Sequence, residues 1–158
     1  QTNLADFIKD TPEGQEADAI LRKCVHCGFC TATCPTYQLL GDELDGPRGR
    51  IYLIKQVLEG KPATEKTQLH LDRCLTCRNC ESTCPSGVTY GRLVDIGRGI
   101  VEKQVKRPFA QQLVRTVLKE TLPRKAVFEP AMKVGQSVRG LLPTTLRGAR
   151  YTSLWRPR

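Results

Sequence analysis

The stretches that decide the fold are Cys24-Val-His-Cys-Gly-Phe-Cys-Thr-Ala-Thr-Cys34-Pro35 and Cys74-Leu-Thr-Cys-Arg-Asn-Cys-Glu-Ser-Thr-Cys84-Pro85. Both read C-x2-C-x2-C-x3-C-P, and the second repeats the first at an offset of 50 residues. The chain has eight cysteines, and all of them belong to these two motifs. The residues between the motifs do not repeat, so the repetition concerns the motif alone and does not indicate a solenoid.

This spacing is typical of a pair of [4Fe–4S] clusters, each of which needs four thiolate ligands. Three cysteines at i, i+3 and i+6 surround one side of a cubane cluster. In two-cluster ferredoxins the fourth ligand comes from the other motif. We therefore predict two ligand sets that exchange their last cysteine: Cys24, Cys27, Cys30 and Cys84 for the first cluster, and Cys34, Cys74, Cys77 and Cys80 for the second.

Two other cysteine chemistries match the motifs less well. Zinc sites usually show two C-x2-C pairs separated by a longer gap, although zinc stays the main alternative. A disulfide framework suits short secreted chains, and the sequence shows no charged-then-apolar leader with a cleavage site. Thiolates kept for iron indicate a reducing cytoplasm.

Composition and charge divide the chain into two parts. With 158 residues and 39% hydrophobic content, the core is small, and bound clusters would cross-link it. Residues 1–102 carry 12 basic and 14 acidic side chains, whereas residues 103–158 carry 13 basic and only 2 acidic ones. The basic part suits an acidic partner, an anionic membrane surface or a solvated linker. Nucleic acid is not expected, because aromatic residues are few and not interleaved with the basic ones.

The apolar periodicity predicts an all-α fold, because apolar residues recur at helical spacing and no alternating strand pattern of useful length appears. No apolar run reaches 18 residues, the length that a membrane-spanning helix requires. We predict a helical domain with two [4Fe–4S] clusters at residues 1–107 and a basic helical or irregular extension at 108–158. The predicted helices cover residues 15–23, 50–59, 65–73 with Thr64 as N-cap, 90–105, 109–122 and 127–142.

Other residues near the motifs have two interpretations each. His26 and His70 could donate a hydrogen bond to a cluster sulfur, or be partly exposed loop residues. Arg48 and Arg50 could face a cluster or a partner carboxylate, or be solvated. The Gly97-Arg-Gly99 segment is rejected as a dinucleotide site, because it lacks the third glycine and follows no strand. We predict no catalytic residue in this chain.

The two cysteine motifs, together with Gly46-Pro-Arg-Gly-Arg-Ile51, closely resemble the iron–sulfur subunits of bacterial glycolate oxidase. The cysteine motif alone is shared with subunits of lactate-utilising, anaerobic glycerol-3-phosphate and heterodisulfide-reducing systems. It is shared more distantly with succinate dehydrogenase. The interval 39–54 (LLGDELDGPRGRIYLI) narrows the resemblance to glycolate oxidase.

The resemblance implies an α-helical ferredoxin fold that works beside flavin-containing glycolate oxidase subunits, which oxidise glycolate to glyoxylate. Electrons would pass from the flavin through the clusters toward a membrane-linked acceptor, in the cytoplasm or peripherally at the inner face of the plasma membrane. The family continues into two further cysteine-rich domains, which predicts that this chain is a fragment. The alternatives are a lactate or glycerol-3-phosphate dehydrogenase subunit, a free-standing ferredoxin, or a structural metal module that binds nucleic acid.

Overall fold

The computed structural model describes residues 2–137, and within that range every regular element is a helix. The all-α prediction is therefore confirmed. Short 3₁₀ turns lie at Phe29–Thr31 and Glu43–Asp45. The α-helices are α1 (Pro12–Lys23), α2 (Pro35–Leu40), α3 (Pro47–Leu58), α4 (Glu65–Asp72), α5 (Asn79–Ser82), α6 (Tyr90–Gln104), α7 (Phe109–Thr121) and α8 (Lys125–Ser137).

The chain divides into two compact units, the first ending at Lys106 and the second beginning at Arg107. In the second unit, α7 and α8 contact each other, and none of their residues is buried. The predicted continuation of the last helix over 138–142 lies outside the described residues. The assignment of 108–158 as a basic extension stays a prediction.

Two helices begin one turn earlier than the apolar periodicity predicts. Pro12 and Pro47 occupy the first positions of α1 and α3, where the missing N–H of proline costs nothing. The Thr11 side chain caps α1 by accepting a 3.1 Å hydrogen bond from the Gly14 backbone N–H. Thr64 caps α4 as predicted, accepting from the Thr67 N–H at 3.2 Å in a reciprocal capping box. Helical periodicity is recognised from large aliphatic and aromatic side chains, and the first turns of α1 and α3 contain none.

The connection between the cysteine motifs contains one helix more than the two predicted. Pro35 opens the six-residue helix α2 directly after the first motif. Pro85 has no such role, because Gly87 takes a φ of 60° and α6 begins only at Tyr90. A helix of six residues is too short to produce a readable apolar period.

The core of the first unit lies where α3 and α6 pack together with α1 and α4 against them. Ile54, Leu58, Leu71 and Leu93 are almost completely buried there. Gly97 permits the close approach of α6 to α3, because a Cβ at this position would lie 2.7 Å from Ile54 Cγ1. This packing fixes the ends of the helices from which both cysteine motifs extend.

A buried ionic network joins the segments between the motifs. The Asp45 carboxylate is fully buried, 2.8 Å from Arg73 Nη1, 3.0 Å from His70 Nδ1 and 3.5 Å from Arg50 Nη2. Burial would raise the pKa of Asp45, but the hydrogen bonds from His70 and Arg73 outweigh it and hold the pKa below its ordinary value. The charge is tolerated because it is paired on every side.

We predict that Asp45→Asn lowers the free energy of unfolding by roughly 3–5 kcal/mol, because Arg50 would stay buried without its carboxylate. Urea unfolding of the loaded protein, followed by circular dichroism, measures the change. Asp6→Asn is the matched control, since Asp6 is exposed and pairs with the exposed Lys9 at 2.7 Å. An equally small effect of both substitutions would contradict the structural role of the network.

Candidate iron–sulfur centres

The two cysteine loops follow the same backbone path. His26 and Thr76 stand at equivalent motif positions and take φ values of 55° and 53°. Gly28 and Arg78 are the next equivalent pair, with φ values of 85° and 59°. Left-handed backbone is unfavourable for residues other than glycine, above all for a β-branched residue such as Thr76, and costs on the order of 1–3 kcal/mol per residue. The repeat in sequence is therefore also a repeat of a strained loop conformation.

The first cavity combines one motif with the end of the other. It encloses about 430 Å³ of atom-free space, part of it open to solvent. Residues of both motifs, of α3 and of the start of α6 form its wall. Five cysteines line it, namely Cys24, Cys27 and Cys30 of the first motif and Cys80 and Cys84 of the second.

The second cavity has the reciprocal composition. It encloses about 300 Å³, again partly open, and its cysteines are Cys74, Cys77, Cys80 and Cys34. Pro47 and Tyr90 line both cavities, which therefore lie next to each other. A contact between the loops reinforces this arrangement, because the Thr33 hydroxyl donates to the Asn79 carbonyl at 3.4 Å.

The cysteines within each motif differ in exposure. Cys27 and Cys77, the second cysteine of each motif, are exposed, whereas Cys34 and Cys80 are buried. Burial, followed by the charge of Cys24, raises the pKa of Cys30. Burial, followed by the charge of Cys74, raises the pKa of Cys80 to about 12. Iron binding at these thiols must therefore release protons, so it is favoured as the pH rises.

Two hydroxyl groups contact cysteine sulfur atoms. The Tyr90 hydroxyl donates to Cys74 Sγ at 3.6 Å, and the Thr36 hydroxyl lies 3.2 Å from Cys34 Sγ. Thr36 also donates to the Asp45 carbonyl at 2.8 Å. Burial, followed by the charge of Cys74, raises the pKa of Tyr90 well above its ordinary value, so this phenol stays a hydrogen-bond donor. No local sequence pattern indicates the contact of Tyr90, because Cys74 lies 16 residues away along the chain.

The arginines of the Gly46–Ile51 segment take different environments. Arg48 lines the first cavity, is 38% exposed at its side chain, and donates to Glu43 at 2.6 Å. Arg50 lines the second cavity with only 1% of its side chain exposed. Its guanidinium donates to the His70 carbonyl at 2.7 Å and to the Thr36 hydroxyl at 3.1 Å. The interpretation of a solvated arginine is therefore wrong for Arg50.

The two histidines lie in different environments. His26 is exposed and lines the first cavity, whereas His70 is buried and contacts Asp45.

Arg98, in the segment rejected as a dinucleotide site, lies within α6 and donates to the Leu71 and Cys74 carbonyls at 2.7 and 2.6 Å. It thereby attaches α6 to the start of the second motif.

The residues fit two [4Fe–4S] clusters. Eight free cysteines are gathered around two adjacent cavities, and each cluster requires four thiolate ligands. A bound cluster would hold the strained loops in place and would use the buried thiols as ligands. Within residues 2–137, no helix has the length and apolar character needed to cross a membrane.

Comparison with known proteins agrees with this geometry. Residues 20–88 match the 4Fe-4S dicluster domain family. The chain is 64% identical to the glycolate oxidase iron-sulfur subunit of Escherichia coli strain K12 over 93% of its own length and 36% of that protein. It is 38% identical to the probable glycolate oxidase iron-sulfur subunit of Bacillus subtilis strain 168, over 90% of the chain and 32% of the relative.

The chain thus spans about a third of the length of these two relatives. Its resemblance to the iron–sulfur subunits of bacterial glycolate oxidase is confirmed. Residues 20–88 are therefore similar to the 4Fe-4S dicluster domains.

Proposed function

We propose that Cys24, Cys27, Cys30 and Cys84 bind one [4Fe–4S] cluster, and that Cys34, Cys74, Cys77 and Cys80 bind the other. The observation that supports this assignment is that the last cysteine of each motif lines the cavity of the other motif. Cys84 lies with Cys24, Cys27 and Cys30, whereas Cys34 lies with Cys74, Cys77 and Cys80, and Cys80 lines both cavities. A bound cluster supplies the reversible uptake of one electron. The chain's own residues hold the two clusters side by side and limit the access of water to them.

The chain is the electron-transferring part of a glycolate oxidase complex. Its partners are flavin-containing subunits that remove two electrons from glycolate and release glyoxylate, and the electrons leave toward a membrane-linked acceptor. The 64% identity to a protein named as a glycolate oxidase iron-sulfur subunit supports this assignment. Exposed apolar side chains in the cysteine loops, namely Val25, Phe29 and Leu75, offer a contact surface for such a partner.

The second unit suits peripheral association with the inner face of the plasma membrane. Residues 103–158 carry 13 basic and 2 acidic side chains. Helices α7 and α8 expose apolar residues, among them Phe109, Leu113 and Val134. Basic charge beside exposed apolar side chains favours an anionic lipid surface.

We expect about eight iron and eight sulfide per chain after anaerobic purification, because two cubane clusters contain that number. Iron and acid-labile sulfide assays on the intact chain make the measurement. Tightly bound zinc without sulfide would refute the proposal and favour a structural metal module.

Exchange of the last cysteines has a distinctive consequence for mutants. We predict that Cys34→Ser perturbs the cluster of Cys74, Cys77 and Cys80, because Cys34 lines their cavity. Cys84→Ser is the matched variant and should perturb the cluster of Cys24, Cys27 and Cys30. Electron paramagnetic resonance of the reduced proteins distinguishes the two clusters. If each serine variant instead damages the cluster of its own motif, the ligand assignment is wrong.

The glycolate assignment is tested with the complex itself. We expect the intact chain to co-purify with a flavoprotein, and we expect glycolate to reduce first the flavin and then the iron–sulfur absorbance. D-lactate and glycerol 3-phosphate serve as comparison substrates, because related dehydrogenases share the cysteine motif. If one of these substrates reduces the complex and glycolate does not, the proposed substrate is wrong, but the electron-transfer role of the chain still holds.

A further inference from the structure

We infer that the two clusters have unequal reduction potentials, and that Tyr90 and Arg50 make the potential of the second cluster the higher one. The second cluster is the one assigned above to Cys34, Cys74, Cys77 and Cys80, so the inference rests on the proposed function. It adds a direction to that function, because electrons collect on the cluster with the higher potential.

The first argument is the distribution of hydrogen bonds to sulfur. Both hydroxyl groups that contact a cysteine Sγ within residues 2–137 reach ligands of the second cluster, Tyr90 at Cys74 and Thr36 at Cys34. The Thr36 hydroxyl donates its one proton to the Asp45 carbonyl at 2.8 Å, so the donor to sulfur is the Tyr90 hydroxyl. Reduction adds negative charge, and donors to sulfur stabilise the reduced form more than the oxidised one. Hydrogen bonds of this kind raise the potential.

The second argument is the charge behind each cavity. Arg50 lines the second cavity and is buried, in a network of two arginines, Arg50 and Arg73, around the single carboxylate of Asp45. The first cavity has Arg48, but Glu43 neutralises it at 2.6 Å and solvent reaches both side chains. A buried positive charge is screened far less than an exposed pair. The second cluster therefore experiences the more positive potential.

Two features of the second cavity act against this difference. The Glu81 carboxylate acts on Cys80, where its charge raises the thiol pKa. Arg78 also lines the second cavity. The side chains of Arg78 and Glu81 both lie next to Gly91, so the positive charge of Arg78 offsets the negative charge of Glu81. Burial of Cys34 and Cys80 also disfavours added negative charge. This effect of burial concerns Cys34 and Cys80. The two cavities do not differ at the second motif position, where Cys27 and Cys77 are both exposed.

The test is a potentiometric titration of the loaded, full-length chain, monitored by electron paramagnetic resonance. Cys27→Ser and Cys77→Ser identify the signals, because each replaces the exposed second cysteine of its motif. We expect Cys77→Ser to alter the signal that appears first during reduction. An altered first signal in Cys27→Ser, or reduction of both clusters at one potential, would overturn the inference.

Tyr90→Phe then tests the cause. The ring lines both cavities, but the substitution removes only the hydroxyl that reaches Cys74. We expect the equilibrium constant for reduction of the second cluster to fall roughly three- to tenfold. A tenfold change is about 59 mV for a one-electron couple. The first cluster should keep its potential, and Tyr52→Phe, at a half-exposed tyrosine on α3, should change neither.

Equal shifts of both potentials in Tyr90→Phe, or no shift at all, would refute the role of this hydroxyl. Iron and sulfide assays on the same samples separate the inference from the proposed function. Two clusters with the opposite order of potentials would overturn the inference alone. A chain that binds no cluster would overturn the proposed function and the inference together.

Discussion

The arrangement of the first unit depends on one geometric feature, which is that the last cysteine of each motif lies in the cavity lined by the first three cysteines of the other. Cys34 lines the cavity of the second motif, and Cys84 lines that of the first. The residues between the motifs must therefore bring the two loops side by side. Packing of α3 against α6 and the contact from Thr33 to the Asn79 carbonyl accomplish this. A slip of either helix would separate a cysteine from its set.

Arg50 connects this geometry to the stability of the fold. Its guanidinium reaches Thr36 at the start of α2, Asp45 in the following 3₁₀ turn and the His70 carbonyl in α4. It also lines the second cavity. A guanidinium is costly to bury unless its N–H groups find hydrogen-bond acceptors, and here several segments supply them. The same side chain therefore organises the connection between the motifs and sets the electrostatic environment of one cavity.

The sequence contained the cysteine sets, the helical class and the Thr64 cap, because each of these is encoded in short spacing. It did not reveal α2, which is too short to show a period, or the earlier starts at Pro12 and Pro47. The strained conformations of Thr76 and Arg78 were also hidden, since neither residue type signals left-handed backbone. The contacts of Tyr90 and Arg50 depend on which helices meet. Local pattern thus predicts the ligands, whereas the surroundings that tune them come from tertiary packing.

The same distinction separates the residues that can vary from those that cannot. Arg50 stabilises the fold and acts on the second cavity at once, so any change there disturbs both. Tyr90 is different, because its ring fills space beside both cavities while its hydroxyl makes one contact, with Cys74. Loss of that hydroxyl leaves the packing in place and removes only the donor. Tyr90 is therefore a position at which related chains can adjust the potential of one cluster without rebuilding the structure that holds both.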